Sequence, residues 1–195
     1  MSNVIAFPTP RPVSDVNPDL VRAIAAADSQ AITEVYRAHA RSVRAYARRM
    51  LQDDVAAEDV VHDAFVALPA AMARFRGECP VESFLLSIAV NLCRRRIRSR
   101  VRGQRAKENL QRREVPTPPA TPESETRQRE LAEVLKRGLD TLSVDHREVF
   151  VLCAVEERTS PEVASILDVP EATVRTRLFY ARRQLRAFLE GAGVR

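Results

Sequence analysis

The sequence predicts an all-α fold made of two small helical domains joined by a flexible linker. Three observations carry this. Apolar residues recur at spacings of three and four through most of the 195-residue chain. Only five glycines occur, few for the many turns of an all-β fold. One internal stretch, 103–127, loses the periodicity and holds Pro116, Pro118, Pro119 and Pro122 amid Thr, Ser and Glu, the composition of a linker. The domains are therefore expected at 19–102 and 128–190. A disordered or extended tail at 1–18, with Pro8, Pro10, Pro12 and Pro18, precedes them.

A helix is expected over 18–27 and a longer one over 30–51. The second carries Ile32, Val35, Tyr36, His39, Val43, Tyr46, Ala47 and Met50 as one stripe, with arginines on its other faces. His39 lies on that stripe and reads as a packed, hydrogen-bonded core residue. The next helix, 56–71, turns Ala57, Val60, Val61, Ala64, Phe65 and Leu68 inward. Asp54, Glu58, Asp59 and Asp63 fall in and near its N-terminal half, where acids suit the helix dipole and can also dock on a basic partner. Gly77 and Pro80 mark a loop. A fourth helix, 81–102, begins apolar with Val81, Phe84, Leu85, Ile88, Ala89 and Leu92 and ends in Arg94, Arg95, Arg96, Arg98, Arg100 and Arg102. One-sided charge of that kind suits a nucleic-acid phosphate track.

Beyond the linker, Leu131, Val134, Leu135, Leu139 and Leu142 form the stripe of another helix. Ser143 can cap the next, with Val149, Phe150, Leu152 and Cys153 facing inward. Thr159 and Glu162 have the spacing of a capping box, so a short helix with Val163, Ala164 and Leu167 inside starts there. Asp168-Val169-Pro170 breaks it. From Glu171 a last helix carries Val174, Leu178, Ala181, Leu185 and Leu189 inward and Arg175, Arg177, Arg182, Arg183 and Arg186 outward. A capped helix, a tight turn and a basic helix outline a helix-turn-helix. Periodicity alone also fits a plain helical pair with solvated arginines. Five arginines against one glutamate over 171–186 favour DNA, because phosphate neutralisation dominates such affinity.

Charge and composition bound the rest. The net charge is +5 and the pI about 9.6, but the distribution matters more than the sum. Twelve Arg or Lys face three Glu over 74–113, whereas 53–63 holds five acids and no Lys or Arg. Segregated charge points to two binding faces. Three cysteines without CxxC spacing, and no export signal, point to a reducing cytoplasm. No apolar run is long enough to cross a membrane. The mixed carboxylates around His62, without a second histidine four residues on, do not read as a metal site. No catalytic residue, cofactor or metal is expected.

Phe75-Arg76-Gly77-Glu78 and Ile88-Ala89-Val90-Asn91, preceded by Ala57-Glu58-Asp59-Val60-Val61, resemble region 2 of bacterial sigma factors. Glu162-Val163-Ala164 through Thr173-Val174-Arg175-Thr176-Arg177-Leu178 and Ala181-Arg182 resemble their region 4. The order, with a linker between, is similar to the extracytoplasmic-function (ECF) group of the sigma-70 family, over about residues 19–189. The resemblance implies a promoter-specificity subunit of RNA polymerase that is not itself an enzyme. It implies that Asp54, Glu58, Asp59 and Asp63 dock on core polymerase. It assigns Arg76, Gly77, Glu78 and Asn91 to a flipped base of the −10 element, with Arg94, Arg95 and Arg96 on the backbone. Thr176, Phe179 and Tyr180 would face base edges of the −35 element. Thr173, Arg175, Arg177, Arg182 and Arg183 would hold phosphates or share both roles. A regulatory anti-sigma factor is a further implied partner.

Departures from the family pattern are visible. Phe84 stands where Trp is usual, Leu86-Ser87 where Tyr-Arg is usual, Asp168 where a turn glycine is common, and Glu157-Arg158 where Gly-Leu is usual. Tyr180 sits where a basic residue is common. The main alternative is a stand-alone helix-turn-helix regulator, against which the acidic helix and the missing sensor domain argue. A carboxylate-metal enzyme finds no supporting spacing.

Overall fold

The computed structural model describes residues 17–108 and 126–193, and every regular element among them is helical. The expected tail lies almost wholly outside the described residues, as does most of the expected linker. The first domain is built from α1 (Pro18–Ala25), α2 (Ser29–Leu51), α3 (Asp54–Met72) and α4 (Val81–Glu108). The first three are capped by acid or amide side chains that accept otherwise orphaned N–H groups. Asn17 Oδ1 accepts from Asp19 N at 3.0 Å, Asp28 Oδ1 from Ala31 N at 2.8 Å and Asp53 Oδ1 from Ala56 N at 3.0 Å.

Val35, Val43, Tyr46, Ala47 and Met50 of α2 are buried against Ala57, Val60, Val61, Ala64, Phe65 and Leu68 of α3. Full burial of side chains of this kind contributes about 1.5–3 kcal/mol each. Tyr36 and His39 sit at the rim of the stripe: Tyr36 is exposed with its ring 4.9 Å from that of Phe65, and His39 is only half-buried. They flank the buried line of α2, which runs through Ala31, Val35, Ala40 and Val43 beside them.

The second domain comprises α5 (Thr126–Thr141), α6 (Val144–Phe150), a single π-turn (Val151–Val155), α7 (Ser160–Leu167) and α8 (Glu171–Gly191). Gly138 lets α5 approach α8 closely, since a Cβ there would meet Leu185 Cδ1 at 2.6 Å. Two boundaries differ from the sequence reading. Helix α4 runs on to Glu108, past the loss of apolar periodicity, because arginine and lysine sustain a helix without a buried stripe. The π-turn that ends the α6 segment had no signal in the spacing.

The two domains pack on each other. Buried residues from Ile24 through Val174 form one continuous apolar cluster, with α4 against α7 and α2 against the π-turn. Helix α4 therefore buries more than one stripe: Ser83, Leu85, Leu86, Ala89, Val90 and Cys93 are all inaccessible. No helix among the described residues is long and apolar enough to cross a membrane.

Candidate nucleic-acid interface

The helix-turn-helix is set by local chemistry. At the start of α7 the Thr159 N–H and hydroxyl both donate to Glu162 Oε2, at 2.8 and 2.7 Å, the reciprocal half of a capping box. These bonds hold the Glu162 carboxyl below its ordinary range. Asp168 ends α7 in the left-handed region at φ +54°, a conformation Asp tolerates. Pro170 precedes the first turn of α8. Val174, Ala181 and Leu185 of α8 are buried, with Leu178 and Leu189 partly so. Ile166, which the sequence reading passed over, is buried beside Val163 and Leu167.

The opposite face of α8 is open. Arg175, Thr176, Arg182 and Arg183 are exposed, as are two aromatic side chains, Phe179 at 62% and Tyr180 at 49%. The two rings are neighbours and form a small exposed aromatic patch on a packed helix. Their edge-on pairing, centroids 5.5 Å apart, and the stack of Tyr180 on His146 at 6.2 Å hold them in place. Thr173 is half-buried, and the Thr176 hydroxyl donates to Ala172 O at 2.9 Å. Arg175 pairs with Glu171 at 2.5 Å and Arg177 with Asp145 at 2.7 Å. A phosphate can displace such surface partners at little cost, because exposed pairs are worth ~0–1 kcal/mol.

The residues expected to read a single strand lie in the loop before α4 and on the first and middle turns of α4 itself. Gly77 takes φ +74°, a left-handed conformation that suits glycine, and turns the loop so that Arg76 and Glu78 are exposed on either side of it. Asn91 and Arg95 are exposed on α4. Phe75 packs on Phe84, centroids 4.7 Å apart, and fixes the loop against the helix. Arg76, Glu78, Asn91 and Arg94 line a cleft of about 930 Å³ whose far wall, Ser165 to Val169, belongs to α7 and its turn.

Two of the backbone-binding arginines expected from sequence are engaged elsewhere. Arg94 reaches the second domain, where Nε and Nη2 donate to Glu148 Oε1 and Oε2 at 2.8 and 2.7 Å. Arg96 donates to Asp59 at 3.1 Å and Asp63 at 2.6 Å on α3. The remaining acids of that face are also paired. Glu58 binds Arg44 at 2.5 and 3.0 Å, and Asp54 binds Arg48 at 2.7 Å. The Arg44 guanidinium holds the Glu58 carboxyl below its ordinary range. These acids share one exposed flank of the first domain.

A buried polar cluster between the domains was missed by sequence reasoning. Glu148 of α6 is fully buried, and burial pushes its carboxyl up although Arg94 opposes that. Tyr46 is equally buried and its hydroxyl is driven well above the ordinary range. Cys93 beside them is pushed up to about 12 by burial and by Glu148. Glu148 closes the polar run Asp145-His146-Arg147-Glu148, so nothing in the local spacing marked it as buried. Cys79 and Cys153 are half-buried free thiols. No group of three His, Cys, Asp or Glu among the described residues is arranged to hold a metal ion.

Comparison with known proteins accounts for both domains. A Sigma-70 region 2 model matches residues 35–103, and a Sigma-70, region 4 model matches residues 132–185. The chain is 30% identical over 177 residues to the ECF RNA polymerase sigma factor SigM of Mycobacterium tuberculosis, across 89% of this chain and 84% of that one. It is 28% identical over 134 residues to the ECF RNA polymerase sigma-E factor of Escherichia coli, across 65% and 70% of the two chains. Among solved structures, CnrH in complex with the cytosolic domain of CnrY matches with a TM-score of 0.66 and 26% identity, over 89% of this chain and 96% of that one. The sigma factor RpoE of Bartonella quintana, crystallised with the anti-sigma factor NepR, shares the fold at a TM-score of 0.63 and 23% identity, over 81% and 96%.

Proposed function

The chain belongs to the sigma-70 family, in its ECF group, and from that membership we propose that it binds core RNA polymerase and directs initiation at promoters bearing −10 and −35 elements of its own specificity. The observation that carries the reading is the outward face of α8. It combines exposed cationic and aromatic side chains on a helix whose other face is locked into a helix-turn-helix. Such a helix fits the major groove, where Thr176, Phe179 and Tyr180 meet base edges and thymine methyls. Thr173, Arg175, Arg177, Arg182 and Arg183 hold phosphates and fix the register.

The −10 element is read by the first domain on the non-template strand. Arg76, Gly77, Glu78 and Asn91 surround a flipped base, whose polar edge a glutamate and an asparagine can read. Arg94, Arg95 and Arg96 carry the strand's phosphates. Asp54, Glu58, Asp59 and Asp63 dock on a basic surface of core polymerase. Their arginine partners on α2 and α4 are exposed enough for polymerase cations to compete with them. The protein supplies binding and specificity and carries out no chemistry of its own. It works in the cytoplasm, where promoter DNA is, and an anti-sigma factor is its regulatory partner.

Run-off transcription tests this reading. Purified core polymerase supplemented with the protein is expected to yield discrete transcripts from a genomic promoter library, and core alone is not. Equal output with and without the protein would sink the proposal.

A further inference from the structure

Tyr180 stands half-exposed on the outward face of α8, yet its ring leans on a helix outside the helix-turn-helix. We propose that His146 of α6 is a positioning residue for −35 recognition: it holds the Tyr180 ring against the methyl group of a thymine and so sets the preference at the base pair facing that ring. This rests on the reading of α8 as the −35 helix.

One line of α8 rests on the corner between α5 and α6. Arg177 Nη2 donates to Asp145 Oδ2 at 2.7 Å, and Gln184 Nε2 donates to Thr141 O at 2.7 Å. Between them the Tyr180 ring lies over His146, with planes 20° apart and centroids 6.2 Å apart. Residues 177, 180 and 184 are spaced by three and four, so they stand above one another on the helix surface. The ring is therefore bracketed by a polar contact one turn before it and another one turn after it. His146 is fixed in its turn. Its backbone N–H donates to the Ser143 hydroxyl at 3.3 Å, and the buried Glu148 and Val149 root the helix behind it. Phe179 closes a second side of Tyr180, with centroids 5.5 Å and planes 77° apart.

Both ring contacts fall in the range where aromatic pairs attract, about 4.5–7 Å between centroids. They still leave 49% of Tyr180 open to a partner. The chemistry of the side chain limits what that partner can be. A phenol lacks the paired N–H donors with which an arginine grips guanine O6 and N7. A flat ring in the major groove instead covers the C5 methyl of thymine, the apolar group that the groove displays. A ring free to rotate would have to give up its rotamers on meeting that methyl. A ring already stacked on His146 has given them up in the free protein, so the contact is preorganised.

The test uses the full-length protein bound to core polymerase and a duplex promoter library randomised across the −35 region. The base pair whose preference Tyr180→Ala abolishes is the one facing the ring, and it is expected to contain thymine. Two fixed duplexes, one with that thymine and one with deoxyuracil in its place, are then compared in a binding competition. Wild type should prefer thymine about fourfold, the size expected for one buried methyl group. His146→Ala and His146→Gln remove the stacking ring and should bring the two duplexes to parity, and His146→Phe should restore the preference. Adding His146→Ala to Tyr180→Ala should change nothing further, because the two side chains act as one unit. The readout is a ratio between two duplexes on one preparation, so loss of folded protein cancels from it, and either ring-less variant suffices. A thymine preference that survives loss of the His146 ring overturns the proposal, and so does a selected base pair without thymine. A library from which wild type enriches no −35 sequence would instead overturn the reading of α8 itself.

Discussion

Glu157 sits at φ +55°, in the turn just before the α7 cap, where a side chain crowds the following carbonyl. Replacing it with glycine relieves that strain. Glu157→Gly is expected to gain about 1 kcal/mol and to raise the melting temperature by about 3 °C in a thermal melt. Five residues further on the sign reverses. Glu162 has a folded pKa below its ordinary value of 4.5 because it accepts from Thr159. A depressed carboxyl stabilises the fold above its unfolded pKa and loses that contribution as pH falls through the folded value. Glu162→Gln should therefore cost about 0.5 kcal/mol at neutral pH, a small sum because the site is solvent-screened. The gap between variant and wild type should close as pH falls through the folded value in urea titrations; a pH-independent gap would mean that the carboxylate charge is irrelevant to the cap.

Helix α8 carries two kinds of outward side chain, and under the proposed −35 reading they should fail differently. Arg182 offers a point of positive charge. Arg182→Ala should weaken binding to all duplexes alike and lower the salt slope by about 1. Tyr180 offers a ring fixed between His146 and Phe179. Tyr180→Ala should leave the salt slope alone and change which −35 sequences are preferred in a selection from a randomised library. A uniform loss from Tyr180→Ala would reduce the ring to a filler. The α4 helix shows why an apolar pattern can mislead. Leu86 looks out of place on a helix expected to face DNA, yet it is fully buried, because α4 packs against α2, α3 and α7 together.

Across the whole molecule, the acidic flank of α3 and several arginines of α2 and α4 are paired internally before any partner arrives. Acids of α3 are held by arginines of α2 and α4, and arginines of α2 and α4 are held by acids of the second domain. Partners then act by exchange of ion pairs, which is cheap at the surface. Charge reversal at Glu58 and Asp59 to lysine should weaken binding to core polymerase by about tenfold or more in a competition assay against wild type, since like charges then meet the basic surface. Helical circular dichroism should be unaffected. Unchanged affinity would place the polymerase contact elsewhere.

Most of this protein was legible in the order of its residues. Most helix positions, the Ser143 and Thr159 caps, the turn at Asp168 and the inward stripe of α8 follow from short-range rules, because capping and periodicity act within one or two turns of backbone. Acid and base segregation likewise exposed two candidate faces. What the sequence left open was long-range: that Arg94 meets Glu148, that Leu86 is buried, and that a cluster of Tyr46, Cys93 and Glu148 lies between the domains. A buried glutamate and a solvated one look alike in a string of letters. Only the packing of one domain on the other decides which carboxylate is desolvated and which arginine answers it.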